Sequence, residues 1–398
     1  MNGYWRHAFM YALMAATLLL TTSHLAAAPA SPQVLHAFCD PSNHCTDEQA
    51  VLGHGAQNIT AGPDGAYYGT TYFSNTIVDQ HGYSEAGGSV YRVDPVTRTI
   101  RALYQFPWGY YPAPWLKVGA DGNLYGGYTR TDPVDSRKYD GFFRLSPEGE
   151  FKVIHEARYA GIACNAPVQD ILGNWIGLTN HFPSRLPAAI YKLSPSGAFK
   201  VLHTLAADQS FSCPNEPALA ADGNLYGVIL GSRGGSPSAI FRLAPDEVFT
   251  ILHQFDATNE GTPATPVTIG PDGALYGVLF PHHGGQMDSM YRLSLDGQFT
   301  DLGTFGSKDW SIIDEKLILM PDGYFYGTGF DSYQADNVIF RLSPAGAYTE
   351  LYVFPSIDES MVISPLIRGF DNALYGTSLY GGNYGGGVLF RYMPPPAQ

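Results

Sequence analysis

Asp121-Gly122-Asn123-Leu124-Tyr125-Gly126 returns unchanged as Asp222-Gly223-Asn224-Leu225-Tyr226-Gly227. Variants stand at Asp64–Gly69, Asp272–Gly277, Asp322–Gly327 and Asp371–Gly376, with a degenerate copy at Leu172–Gly177. The second residue of the phrase falls at 65, 122, 173, 223, 273, 323 and 372, in steps of 57, 51, 50, 50, 50 and 49 residues. A period near 50 without helical patterning between copies is the mark of a β-propeller with one repeat per blade. Seven copies predict seven blades.

Within a repeat, four short runs rich in β-branched and aromatic residues are separated by turn residues. In the fifth copy strand A is Pro266–Ile269, and Pro271–Gly273 is a tight Asp-Gly turn. Strand B is Ala274–Leu279, strand C Met290–Leu293 and strand D Phe299–Phe305. The seventh repeat stops after its strand C, at Met393-Pro394-Pro395-Pro396. The missing strand D stands at the other end of the chain. Gln33-Val34-Leu35-His36-Ala37-Phe38 matches Lys200-Val201-Leu202-His203-Thr204-Leu205. The expected fold is therefore all-β, a seven-bladed β-propeller with four antiparallel strands per blade. Pairing of the N-terminal strand (Gln33–Phe38) with the C-terminal blade would close the ring and remove an open sheet edge.

The phrase Asp-Gly-Asn-Leu-Tyr-Gly, a Gly-rich loop, then Phe-Arg-Leu-Ser-Pro and Leu-His-x-Phe together resemble the Gloeo/Verruco (GloVer) tandem-repeat family of exported bacterial proteins. The resemblance runs from residue 33 to residue 392. It implies a propeller and an exported product, and carries no settled activity or catalytic residues.

Met1–Ala30 reads as a secretory signal peptide, with Arg6 in the n-region, an apolar stretch over Ala8–Leu20 and cleavage after Ala28-Pro29-Ala30. The apolar stretch is too short for a membrane span. Residues 31–398 are expected to form a single propeller domain, secreted or periplasmic and monomeric. The net charge of −14 disfavours nucleic acid and anionic membrane as partners. Four cysteines in an exported chain favour disulfides, with three connectivities open. Cys39 and Cys45 share a short loop. Cys164 and Cys213 occupy the same place in adjacent repeats, so the pairs 39–45 and 164–213 are predicted.

Residues present in every repeat are read as scaffold. The strand B tyrosines (68, 125, 226, 276, 326 and 375) suit packing between blades. A basic residue in strand C (Arg92, Arg144, Lys192, Arg242, Arg292, Arg341, Arg391) could pair with the turn Asp. Leu172 and Lys192 break both halves of that pattern in the third repeat. His36, His155, His203 and His253 share one strand D position that also accepts Tyr104, Gly303 and Tyr352, so it is not a catalytic position.

The B–C and D–A connections are long and different in each repeat, and alternation places them together on one face. Binding residues concentrate on such loops. That face should carry Tyr72, His81, Trp108, Tyr110, Tyr111, Phe182, Trp310, Tyr333 and Tyr380 as ligand-contacting aromatics, suited to sugar rings or peptides. The leading functional reading is a binding or scaffold module for a glycan or a protein or peptide ligand. The alternative is a carbohydrate-active enzyme, most plausibly a polysaccharide lyase. It would use His181, His282, His283 or Tyr128 as base and Arg130 as the cation that steadies developing charge. Neither Gly-x-Ser-x-Gly nor His-Glu-x-x-His is present, which leaves serine hydrolase and zinc protease readings without support. No metal-ligand spacing and no cofactor motif stand out.

Overall fold

The computed structural model describes residues 31–396 except 41–44, 47–51, 74–86, 159, 163–164, 181–186, 212–214, 233–234, 281–286, 307–309, 313–315, 332–335 and 355–363. The signal-peptide assignment for residues 1–30 lies outside them.

Seven antiparallel sheets follow one another along the chain. Blade 1 comprises strands A to D at His54–Ala61, Tyr67–Phe73, Ser89–Val93 and Ile100–Gln105. Blade 2 comprises Tyr110–Val118, Leu124–Thr131, Lys138–Leu145 and Phe151–Arg158. Blades 3 and 4 repeat the order with strand A reduced to Val168–Gln169 and Ala218–Leu219. In blades 5 and 6 strand A is broken in two, Thr262–Pro263 with Thr268–Ile269, and Trp310–Ile312 with Ile318–Leu319. Both pieces pair with the same strand B.

Blade 7 is built from both ends of the chain. Its strands A to C are Ile367–Arg368, Leu374–Thr377 and Gly385–Tyr392, and Gln33–Cys39 lies antiparallel beside the last of these, with Gln33 opposite Arg391. The ladder skips Leu35, as it skips Leu202 in blade 3 and Leu252 in blade 4. The N-terminal strand thus carries the same bulge as the strands D that belong to their blades by sequence order.

The repeated glycines have two distinct causes. In the A–B turn Gly122, Gly223 and Gly273 adopt φ of 78°, 84° and 78°, a region an L side chain enters only at a cost. In strand B the glycine of the Tyr-Gly pair lies under an aromatic ring from strand C. A Cβ on Gly277 would come within 2.4 Å of the Tyr291 hydroxyl, and one on Gly227 within 2.5 Å of the Phe241 ring.

Seven hydrophobic clusters join the blades pairwise around the ring. The cluster between blades 7 and 1 contains Phe38, Leu52, Tyr67, Tyr375 and Leu389. There Tyr67 stacks on Tyr375 with centroids 4.2 Å apart, and the Phe370 N–H donates to the Tyr67 hydroxyl at 3.2 Å. Tyr125 packs on Trp175 and Tyr276 on Phe325 in the same manner between other neighbours. The strand D histidines are packing residues as well. His155, His203 and His253 stack on Phe199, Phe249 and Phe299 of the following blade, at 4.8, 3.6 and 4.8 Å.

The basic residue of strand C meets the turn Asp in some blades and not in others. Arg92–Asp64, Arg292–Asp272 and Arg391–Asp371 are ion-paired at 2.8, 2.7 and 2.7 Å. In these blades alanine stands two places after the Asp. In blades 2 and 4 asparagine stands there, and Asn123 and Asn224 donate to Asp121 and Asp222 at 2.7 and 2.6 Å. In blade 6 Arg341 turns to the Pro395 carbonyl at 3.3 Å. Blade 3 keeps the acid two residues early: Asp170 accepts from the backbone and side-chain nitrogens of Asn174 at 2.8 and 2.9 Å. The apparent loss at Leu172 is therefore a shift of the acid. Lys192 of that blade faces Glu247 of the next at 3.6 Å.

Cys39 and Cys45 form a disulfide. Cys164 and Cys213 lie outside the described residues. No helix among the described residues is long and apolar enough to cross a membrane.

Candidate functional site

Two places collect chemistry: the face of long loops over blades 1 and 2, and the central channel.

On the loop face, strand B of blade 1 ends in Tyr72 and Phe73. The Tyr72 ring lies 5.7 Å from that of Tyr111, and Phe73 stacks on His54 at 4.8 Å. Tyr110 lies 5.2 Å from Tyr128. Trp108 is half exposed and Tyr380 is 44% exposed. Trp310 lies in a strand described by its backbone alone, and His81, His181, Phe182, His282, His283 and Tyr333 lie outside the described residues.

Strand B of blade 2 alternates, so Tyr128 and Arg130 project to one side and meet Glu156 of strand D. The Tyr128 hydroxyl donates to Glu156 Oε2 at 2.6 Å, while Arg130 donates from Nε to Oε2 at 2.9 Å and from Nη2 to Oε1 at 2.6 Å. Arg130 also approaches Asp132 at 3.6 Å and lies 4.4 Å above the Tyr139 ring. The guanidinium holds the Glu156 carboxyl below its usual range. Burial, followed by the bond to Glu156, pushes the Tyr128 hydroxyl well above its ordinary value. A phenol so raised is a poor base, and a guanidinium already forked onto a carboxylate has little charge to lend a developing anion. Nearby Asp140 is buried, which raises its carboxyl, and it accepts from Thr129 and the Gly161 N–H at 2.9 and 2.6 Å.

The channel is walled by the strand A segments of all seven blades. In these segments the residue six places before the turn glycine, or before Asn372 in blade 7, is buried between blades. Ile59, Leu116, Val267, Leu317 and Leu366 are all 5% exposed or less. The residues five and seven places before it contribute to the lining of the channel, among them Thr60 and Asn58, Lys117 and Trp115, Glu216, and Lys316. Blades 2, 4 and 6 thereby bring three charges together. Lys117 donates to Glu216 Oε2, and Lys316 donates to Glu216 Oε1 at 3.0 Å. Burial alone would raise the Glu216 carboxyl, but the two ammonium groups outweigh it and hold it at about 2. The cavity around them measures about 310 Å³.

The sequence signal for this cluster is a charge at a strand A position that is uncharged in the other repeats, namely Glu216 and Lys316 where Asn58, Trp115, Ala166, Pro266 and Pro365 stand elsewhere. Among the described residues no group of three or more His, Cys, Asp or Glu could hold a metal ion.

The Gloeobacter/Verrucomicrobia repeat model matches residues 54–290 and 213–398. This chain belongs to that repeat family. Comparison with curated proteins finds no match. Among solved structures, a protein from Lactobacillus plantarum is similar at 14% identity, over 83% of this chain and 94% of its own, with a TM-score of 0.55. The periplasmic gluconolactonase of Pseudomonas aeruginosa is similar at 14% identity, over 82% and 99%, with a TM-score of 0.50. The oligogalacturonate lyase of Vibrio parahaemolyticus gives 13% identity over 75% and 77%, with a TM-score of 0.48. At these identities the likeness extends to the fold alone.

Proposed function

We propose that this member of the repeat family is an exported binding module that engages a glycan or peptide through its loop face. One observation carries the reading. The two described residues best suited to lyase chemistry, Tyr128 and Arg130, are both committed to Glu156, while Trp108 and Tyr380 stay exposed. Among the described residues neither of these two offers a free base or a free cation, and exposed aromatic surface suits the holding of a ligand. The Cys39–Cys45 disulfide supports an oxidising compartment.

The test is electrophoresis of the mature protein through native gels cast with bacterial, plant and algal polysaccharides, with parallel assay for unsaturated or reducing ends. Retardation that is lost in Trp108→Ala, with no new ends, is the expected result. New ends that vanish in Arg130→Ala would establish the lyase and retire the binding reading.

A further inference from the structure

We propose that the channel cluster Lys117–Glu216–Lys316 is a second binding site, for a hydroxylated carboxylate about the size of a monosaccharide acid. The site is separate from the loop face and does not depend on it.

Charge comes first. Two ammonium groups and one carboxylate leave the channel cluster at +1, within a chain whose net charge is −14. Among the described residues no other acidic or basic side chain is part of the cavity's lining. The surrounding wall includes Pro114, Pro266, Pro365 and Ile367, a low-polarity setting in which an unbalanced cation attracts an anion more strongly than on open surface. Each lysine spends one of its three N–H donors on Glu216, so both retain donors that can reach a ligand carboxylate.

Two buried acceptors supply the second requirement. Asn58 and Asn215, 4% and 1% exposed, line the same cavity. Their amide nitrogens are committed, Asn58 Nδ2 to Thr70 Oγ1 at 2.6 Å and Asn215 Nδ2 to the Val228 carbonyl at 3.2 Å. Their Oδ1 atoms accept no hydrogen bond from the protein. Such orphaned acceptors are costly when buried, and a small shift of the wall that exposed them to the cavity would let a ligand hydroxyl satisfy them. Cationic donors beside neutral acceptors describe a molecule with a carboxylate at one end and hydroxyls at the other. A volume of about 310 Å³ stands at the small end of ligand pockets.

Glu216 occupies the place between the lysines that the ligand carboxylate needs. It acts as a built-in competitor, holding the two cations in position in the empty channel and yielding part of them on binding.

The probes for isothermal titration at low salt are glucuronate, glucose and sulfate, used on the full mature chain. Glucuronate is expected to bind and glucose to give no signal. Lys316→Met should weaken glucuronate about 10- to 100-fold, the usual loss for one hydrogen bond to a charged group. Lys117→Met provides the same test should Lys316→Met fail to fold by circular dichroism. Glu216→Gln should bind glucuronate tighter, because the competitor is gone; a cluster with only a structural role would show no such gain. Absence of glucuronate binding at millimolar concentration, unchanged affinity in both lysine variants, or weaker binding in a folded Glu216→Gln would each overturn the proposal. Sulfate binding as tightly as glucuronate would overturn the hydroxy-acid assignment.

Discussion

Arg292 and Asp272 meet at 2.7 Å across blade 5, and the residue that permits the meeting is Ala274. Asp272 also accepts from the Tyr276 hydroxyl and the Ala274 N–H, both at 3.2 Å. In blade 4 Asn224 takes the acid for itself. Asp272→Ala is therefore expected to cost about 1–2 kcal/mol in urea unfolding, mostly through the Tyr276 hydroxyl and the turn. Arg292→Ala should cost less than Asp272→Ala, since the pair is exposed to solvent and screened. Equal losses in the two variants would show that the ion pair, and not the turn, carries the stability.

Stability should fall in mild acid through the closing strand. His36 lies on strand Gln33–Cys39 against Phe38, and burial lowers its imidazole from 6.5 to about 4. The folded form then prefers neutral His36. Its contribution is complete above pH 6.5 and is lost as pH falls toward 4, with an upper bound of about 3 kcal/mol. Melting temperature followed from pH 7 to pH 4 should drop more steeply in the native protein than in His36→Gln.

Phe38 is 1% exposed and packs on Tyr91 of blade 1 at 5.2 Å. Phe38→Ala is expected to cost about 3–5 kcal/mol, as for other large buried aromatics. The loss should appear as cooperative unfolding of the whole ring at lower urea. A separate early transition would show that blade 7 opens on its own.

The Cys39–Cys45 bridge closes a short loop, so its loss in Cys45→Ala should cost about 2 kcal/mol by loop entropy. The Asn215 N–H donates to Asn165 Oδ1 at 2.8 Å, which brings the segments next to Cys164 and Cys213 together. Non-reducing peptide mapping is expected to find Cys164 joined to Cys213. Free thiols at both would reject that link.

The blade count was legible because each blade must solve the same packing problem with the same turn glycine and the same ring over Gly227 or Gly277. The matching bulge at Leu35 was not, since a skipped residue leaves no mark in an alternating pattern. Partners of the turn acid depended on one neighbouring residue, alanine or asparagine, whose influence emerges only from three-dimensional reach. The Lys117–Glu216–Lys316 cluster was the least legible feature. Its members lie about 100 residues apart in successive steps, and only closure of the ring brings blades 2, 4 and 6 to a common axis. The loop aromatics Tyr72, Tyr110 and Tyr111 were recognisable by composition, whereas the claim of Glu156 on Tyr128 and Arg130 was hidden in a regular strand D.

Pairing of Gln33–Cys39 with Gly385–Tyr392 also sets a timetable. Gln33–Cys39 has no neighbour in its blade until Gly385–Tyr392 has been made. A ribosome that stalls before residue 385 releases a product with two ragged rims, and no quantity of correctly formed middle blades can shut it. Closure of the ring waits on residues 385–392, so a chain cut short of them announces itself as a target for proteolysis.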